Sequence, residues 1–350
     1  MPQLNLDCEG PLTVNDNAFE LCASFIPQGD RFFALVSKYD DYLADVEKRP
    51  GYKAGDTLKL VLPFLRAYGI GNEVIKEFSK KTLRVLRGAI ELLRLAQKTW
   101  PTFIISTSYC PYLEALCEIS EFPRENVFCT EVDLDRLHPS EKEARLLKEL
   151  AQEIASLPMI ELPHGASSFE DLPPESQRVI TRLEEIFWKI IPEFKTGRFL
   201  EEVNPIGGEE KARAVKESLS RTGFSLEEVL YVGDSITDVQ AFELVREAAG
   251  GTVSFNGNRY ALRAAEFFAL APQAAAIACL MAVFDQEGRE GLLREAQEGR
   301  FRSCASLPPD LSFWKEGFRF GQAGDNWEAL VAESEAFRRK VRGEAIGALG

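Results

Sequence analysis

Two short acidic stretches, far apart in the chain, carry the residues best suited to chemistry. Asp7 and Glu9 directly follow one short apolar run, and Asp234 and Asp238 follow another. Each apolar run predicts a β-strand. If both strands belong to one parallel sheet, the four carboxylates meet at its carboxyl edge, where open α/β sheets bind ligands.

Four carboxylates that meet in one place repel each other unless a cation lies between them. Ligands that are all oxygen atoms favour a hard ion, and Mg²⁺ is the ion expected. The sequence therefore predicts a magnesium site formed by Asp7, Glu9, Asp234 and Asp238, with one carboxylate free to act as a nucleophile. A zinc site is not expected, because the two histidines are far apart and no pair of cysteines has the spacing of a zinc motif.

Two further elements could bind an anion beside this site. Ser106 and Thr107 follow a β-rich run, and Lys211 lies in the first turn of a helix predicted at residues 209–222. A hydroxyl group at a strand end and an ammonium group at a helix start both suit phosphoryl oxygens. Thr107 is an alternative to Ser106, and Lys216 is an alternative to Lys211.

Taken in chain order, these elements resemble the four motifs of the haloacid dehalogenase (HAD) superfamily, whose members are mostly Mg²⁺-dependent phosphohydrolases. The matching positions are Asp7 with Glu9, Ser106, Lys211, and Asp234 with Asp238. The resemblance implies an α/β fold with a Rossmann-like parallel sheet. The layout is most similar to phosphoserine-phosphatase-like members of the superfamily.

The resemblance implies two catalytic residues. Asp7 would attack the phosphoryl group and form an aspartyl-phosphate, and Glu9 would act as general acid and then base, with its main-chain carbonyl binding the metal. The family usually has aspartate in place of Glu9 and threonine in place of Pro11. A glutamate still permits proton transfer, whereas the proline removes an N–H group and fixes the local backbone.

The resemblance also implies how the phosphoryl group and the metal are held. Ser106 and Lys211 would bind the phosphoryl oxygens. Asp234 would bind Mg²⁺ together with Asp7, and Asp238 would orient Lys211 or a metal-bound water.

The intervals between the motifs predict the remaining architecture. The predicted parts are a HAD core (1–13, 86–137 and 201–284), a helical C1 cap (14–85), a second helical insertion (138–200) and a helical C-terminal extension (285–350). A cap excludes water and contacts the substrate. Arg31, Lys38 and Lys53 of the cap are candidates for binding a second anionic group, although such residues are more often solvated.

Composition narrows the partners. A net charge of −14 and a pI of about 4.9 argue against nucleic acid or an anionic membrane. The start of the chain lacks the pattern of a signal peptide, and the seven cysteines are scattered among apolar residues. These features predict a cytoplasmic protein with reduced cysteines.

The preferred function is therefore an Mg²⁺-dependent phosphohydrolase that cleaves a phosphomonoester of a small metabolite. A C–halogen dehalogenase is disfavoured, because that chemistry needs no metal, and a phosphonate hydrolase would need a cap lysine that the sequence does not single out. The alternative is not an enzyme in function: it is a HAD-fold binding or assembly protein with a metal and phosphate pocket but little or no turnover. Glu9, Pro11 and the large helical insertions favour this alternative.

Overall fold

The computed structural model describes residues 2–322, 327–347 and 349, and a mostly parallel sheet lies at its centre. The strands of this part of the chain are β1 (Gln3–Leu6), β2 (Thr102–Tyr109), β3 (Val127–Thr130), β4 (Val229–Gly233), β5 (Gly251–Phe255), β6 (Phe267–Leu270) and β7 (Arg319–Gln322). Their order is β3-β2-β1-β4-β5-β6-β7, and all neighbours are parallel except β6 and β7. The predicted α/β fold with a parallel sheet is confirmed.

Helices cover both faces of the sheet and form the insertions. Their bounds are α1 (Asn17–Phe25), α2 (Gly29–Asp41), α3 (Thr57–Leu60), α4 (Leu62–Ala67), α5 (Asn72–Thr82), α6 (Ala89–Thr99), α7 (Cys110–Ser120), α8 (Glu141–Ser156), α9 (Pro174–Glu185), α10 (Phe199–Glu202), α11 (Glu209–Thr222), α12 (Val239–Glu247), α13 (Arg259–Ala264), α14 (Ala275–Glu298), α15 (Trp327–Arg342) and α16 (Glu344–Gly347). None of the described helices combines the length and the apolar character needed to span a bilayer.

The central pair of strands brings the two acidic motifs together. β1 pairs in parallel with β4, and Leu6 lies opposite Val232. The side chains of both strands are buried, as expected for parallel strands covered on both faces. Because the two strands end at the same level, Asp7 and Asp234 leave the sheet at the same edge.

The two predicted insertions share one hydrophobic core in the structure. Phe64 lies at its centre, with ring centroids 4.9 Å from Phe32 in α2 and 6.0 Å from Phe187, which follows α9. Ile346 and Leu349, near the end of the chain, are buried in the same core. We call this combined body of residues 14–85 and 138–200 the cap.

The sequence analysis expected a helical C-terminal extension, but the extension also contains a strand. It contributes β7, which pairs antiparallel with β6, so that Phe268 lies opposite Gly321. The sheet therefore continues beyond β6 into the C-terminal extension. Two of the four residues of β7 are exposed, and the strand contains one large apolar side chain, Phe320, so it lacks the alternation that reveals a strand.

The prediction that the cysteines are reduced is wrong for four of the seven. Cys110 is bonded to Cys129, with Cα atoms 5.1 Å apart, and Cys279 is bonded to Cys304, with Cα atoms 5.0 Å apart. The separations of 19 and 25 residues along the chain do not reveal this proximity, which arises when neighbouring elements pack. The other three cysteines are free and buried.

Candidate active site

The carboxyl edge of the sheet gathers three carboxylates of the two acidic motifs. The N–H group of Asp7 donates to the carbonyl of Val232, 2.8 Å away, and so joins the end of β1 to β4. Carboxylate oxygens of Asp7, Asp234 and Asp238 all lie within 4.8 Å of one another, and all three residues are buried. The structure thus brings together three of the four acidic residues that the sequence analysis expected to converge, and the carboxylate of Glu9 is not part of this cluster.

Lys211 joins two of these carboxylates. Its Nζ atom lies 2.7 Å from Oδ2 of Asp7 and 2.8 Å from Oδ1 of Asp238, and the side chain has no exposed surface. Burial lowers the pKa of Lys211, but Asp238 and Asp7 together raise it above its ordinary value, so the ammonium group stays charged. The alternative, Lys216, lies exposed on the outer face of α11.

Asp238 organises the loop around it. Its Oδ1 accepts hydrogen bonds from Lys211 and from the hydroxyl group of Tyr231, both at 2.8 Å. Its Oδ2 accepts from the N–H groups of Asp234 at 3.0 Å and Ser235 at 3.1 Å. Both oxygens of Asp238 are therefore engaged in holding Lys211 and the turn that carries Asp234.

The carboxylate of Asp7 is oriented but needs positive charge. Its Oδ1 accepts a hydrogen bond from the N–H group of Cys8 at 2.7 Å. Burial raises the pKa of Asp7, Lys211 opposes this effect, and Asp238 and Asp234 add to it. An ionised Asp7 therefore depends on Lys211 and on further cationic charge near it.

Glu9 lies in surroundings that favour its protonated form. Burial raises its pKa well above the ordinary value, and Asp16 raises it further, while Arg342 opposes the shift. Its Oε1 accepts a hydrogen bond from the N–H group of Asn17 at 2.8 Å. Asp16, which caps the start of α1, was not predicted as a site residue, because an acidic residue at a helix start is common in any protein.

The two candidate hydroxyl groups differ in their hydrogen bonds. Thr107 donates to the carbonyl of Ile206 at 2.9 Å. Ser106 is buried, and its Oγ accepts from the N–H group of Ser108 at 3.2 Å. An accepted hydrogen bond leaves the O–H proton of Ser106 available for a phosphoryl oxygen, so this geometry favours Ser106 over Thr107.

Asp7, Glu9, Ser106, Thr107 and Asp234 line a cavity of about 100 Å³ that is bounded by three parts of the chain, whereas Lys211 and Asp238 are not among its lining residues. The sheet edge supplies the motif residues, the cap supplies side chains that include Phe33 and Leu58, and the C-terminal extension supplies Arg338, Arg342 and Leu349. The volume equals that of about three water molecules. The site is therefore small and closed on the side of the cap.

The cap cations singled out from the sequence do not line this cavity. Arg31 is exposed and donates to the carbonyl of Leu157. Lys38 pairs with Asp41 at 2.9 Å, and Lys53 lies against Asn204. All three engage other protein groups.

Two arginines that the sequence analysis missed do line the cavity. Arg338 and Arg342 of α15 are 3% and 7% exposed, and both contact Oδ2 of Asp234. They lie four residues apart, hence on one face of the helix. This spacing is the only signal in the sequence, and it occurs on many solvated helices.

The charges of the site fit a divalent cation. The ionisable groups that interact there are Asp7, Glu9, Asp16, Asp234, Asp238, Lys211, Arg338 and Arg342. With all of them ionised, five carboxylates face three cations, which leaves two buried negative charges, and with Glu9 protonated one negative charge remains. Unpaired buried charge is costly, and a cluster of oxygen donors suits a hard ion such as Mg²⁺.

A comparison with solved structures finds similarity over the full length of the chain. No protein-family model and no curated protein sequence matches the chain. The solved structure of a gene product from Archaeoglobus fulgidus is 28% identical, has a TM-score of 0.81, and aligns over 100% of this chain and 99% of its own. The cap and the C-terminal extension thus belong to the fold that the two proteins share.

More distant similarity is found to solved structures of phosphatases. A phosphoserine phosphatase, solved as an analogue of its phospho-aspartyl intermediate, is 12% identical with a TM-score of 0.43, over 75% of this chain and 90% of its own. A phosphoserine phosphohydrolase-like protein from Francisella tularensis is 15% identical with a TM-score of 0.44, over 80% of this chain and 100% of its own.

The motif residues lie at the ends of strands and at the start of a helix. Asp7 and Asp234 end adjacent parallel strands, Ser106 lies near the end of β2, and Lys211 lies in the first turn of α11. The chain has an α/β fold with a mostly parallel sheet, and these positions are the ones expected from the motif resemblance found in the sequence.

Proposed function

We propose that the protein is an Mg²⁺-dependent phosphohydrolase that cleaves a phosphomonoester of a small metabolite. The observation that carries the proposal is the buried ion-pair chain from Asp7 through Lys211 to Asp238, at the sheet edge that also presents Asp234. A buried lysine that contacts two carboxylates, next to an enclosed cavity, suits a dianionic substrate better than a neutral one.

Asp7 acts as the nucleophile in this proposal. The N–H group of Cys8 fixes one carboxylate oxygen and Lys211 fixes the other. Attack on the phosphorus atom forms a bond from an Asp7 oxygen and breaks the bond to the leaving oxygen of the substrate. The product of this step is an aspartyl-phosphate on Asp7.

Lys211 and Ser106 bind the transferred group. The ammonium group of Lys211 lies where negative charge accumulates on the phosphoryl oxygens, and burial strengthens this interaction. Ser106 donates its O–H proton to a second phosphoryl oxygen. Asp238 keeps Lys211 in place throughout the reaction.

Glu9 moves the protons. Its raised pKa favours the protonated carboxyl group, which can donate a proton to the leaving oxygen. After the alcohol departs, the ionised Glu9 accepts a proton from the water that hydrolyses the aspartyl-phosphate. The acid and base steps balance, and the enzyme returns to its starting state.

Asp7, the main-chain carbonyl of Glu9 and Asp234 would hold the Mg²⁺ ion. When bound, the ion lowers the repulsion between the nucleophile and the phosphoryl group and stabilises charge in the transition state. The predicted role of Asp238 as a metal ligand gives way in this proposal to its role in holding Lys211, because its two oxygens already accept four hydrogen bonds.

The cavity supports a small substrate. Its walls on the cap side include Ala18, Phe33 and Leu58, and Leu349 closes it from the C-terminal extension. These side chains leave room for a compact leaving group and exclude water from the phosphoryl group. The cytoplasmic location predicted from the sequence rested in part on reduced cysteines, and the two disulfides of the structure remove that support.

One observation favours a second candidate, a binding or assembly protein with little turnover. The carboxyl group of Glu9 accepts a hydrogen bond from the N–H group of Asn17 and lies near Asp16, so part of its capacity is already used. Pro11 fixes the backbone of the same loop. In this candidate the site binds the metal and an anion but does not complete the reaction.

Hydrolysis of a generic aryl phosphate, with and without Mg²⁺, tests the proposal. We expect Mg²⁺-dependent turnover in the wild type and its loss in Asp7→Asn, while the exposed Asp310→Asn retains it. Activity that survives in Asp7→Asn would refute the assigned nucleophile. Metal-dependent binding of inorganic phosphate without turnover would identify the binding protein instead.

A further inference from the structure

The C-terminal helix α15 supplies the cationic partners of Asp234. Arg338 and Arg342 both direct an Nη1 atom at Oδ2 of Asp234, and the distance from Arg342 is 3.1 Å. Both guanidinium groups are buried with Asp234. Each contact therefore joins opposite charges away from bulk water, where such hydrogen bonds are strongest.

The same arginines fix the backbone on either side of the site. Arg338 also donates to the main-chain carbonyl of Asp234 at 3.2 Å. Arg342 donates through Nε to the carbonyl of Val14 at 3.3 Å and through Nη2 to the carbonyl of Asn15. The pair thus links the second acidic motif to the segment that follows the first one.

The position of α15 is itself fixed, so the guanidinium groups are held rather than free. Ser334 donates from its hydroxyl group to the carbonyl of Gly257 at 2.6 Å. Leu330 and Val331 pack against Phe268 and Leu270 of β6. Because the helix is docked on the sheet, the arginines are pre-organised around Asp234.

We propose that Arg338 and Arg342 are positioning residues of the metal site. By holding Oδ2 of Asp234, they fix the orientation of the carboxylate that would bind the ion. This inference rests on the proposed magnesium site, and it makes the end of the chain part of that site.

Two effects of removing a guanidinium group oppose each other. Loss of the positive charge makes the cluster more negative, which by itself strengthens the attraction for a cation. Loss of the hydrogen bonds frees Asp234 to rotate, which weakens binding, and the removal of such supporting contacts typically costs about 10- to 100-fold in metal affinity. If the arginines position Asp234, the second effect dominates.

Calorimetric titration of the full-length protein with Mg²⁺ alone distinguishes these effects. We expect Arg338→Gln to raise the dissociation constant about tenfold or more, and Arg338→Lys, which keeps the charge, to recover part of the affinity. Arg339→Gln is the matched control, since it removes the same charge from the next residue of the helix, which points to Glu335. Its dissociation constant should stay within about twofold of the wild type.

The outcomes separate this inference from the proposed function. Unchanged or tighter Mg²⁺ binding by Arg338→Gln would overturn the inference, because the guanidinium group would then be structural or would compete with the ion. A wild type that binds no Mg²⁺ would overturn the magnesium site as well. If Arg338→Gln does not fold, Arg338→Lys decides, since it must still bind Mg²⁺ more weakly than the Arg339→Gln control.

Discussion

Replacing Asp238 with asparagine should destabilise the protein more than any surface change. The carboxylate accepts four hydrogen bonds, two at each oxygen, and it is fully buried. Asparagine keeps one acceptor oxygen and replaces the other with an NH₂ group that cannot accept. Whichever way the amide turns, two donors lose a hydrogen bond: either Lys211, which keeps its contact with Asp7, and Tyr231, or the N–H groups of Asp234 and Ser235.

The expected cost follows from these two lost hydrogen bonds. A buried donor without a partner costs about 1–3 kcal/mol, and one or two donors are left without a partner, so Asp238→Asn should lower the free energy of unfolding by about 1–6 kcal/mol. Urea unfolding without Mg²⁺ measures this quantity without a metal effect. The exposed Asp310→Asn is the control and should change stability by less than about 0.5 kcal/mol. A loss below about 1 kcal/mol in Asp238→Asn would refute the reasoning from buried donors.

Three further changes test other parts of the structure. In Gly10→Ala the new Cβ atom would lie 2.2 Å from Oδ2 of Asp234, at a φ of +104°, so Mg²⁺ affinity and melting temperature should both fall, and a titration showing wild-type affinity would contradict this. Burial raises the pKa of Asp40 to about 7; its protonated form is favoured in the folded state, so the wild type should lose stability relative to Asp40→Asn as pH rises from about 4 to 7, by at most about 1.4 kcal/mol per pH unit. If the difference in unfolding free energy between the wild type and Asp40→Asn stays constant across that range, folding does not raise the pKa of Asp40. Removing the bond between Cys279 and Cys304, which are 25 residues apart, by changing both to alanine should cost about 3 kcal/mol, and a reducing agent, which also opens the bond between Cys110 and Cys129, should lower the melting temperature of the wild type at least as far.

The site residues at the carboxyl edge of the sheet could be predicted from the sequence, because local structure places them there. Asp7 and Asp234 directly follow buried apolar runs, and parallel strands end at a common edge, so their convergence needed no knowledge of distant packing. Lys211 follows the same logic, since the turn before α11 places the start of that helix beside the sheet edge.

The sequence could not predict the parts of the site that depend on tertiary docking. Arg338 and Arg342 reach Asp234 only because α15 packs on β6, and nothing near them in the chain indicates that contact. The pairing of Cys110 with Cys129 has the same character. Two cysteines within apolar surroundings suit a reduced core as well as a disulfide until the packing of their elements is known.

The shared core of the cap has a consequence for how ligands reach the cavity. Four stretches of backbone connect the cap to the sheet, at both ends of residues 14–85 and of 138–200, and Ile346 and Leu349 anchor a fifth. A rigid swing of the whole cap would have to bend all five at once. Ligands are therefore expected to enter and leave the cavity when short segments at its rim rearrange, such as the stretch that precedes α3. The body of the cap stays in place.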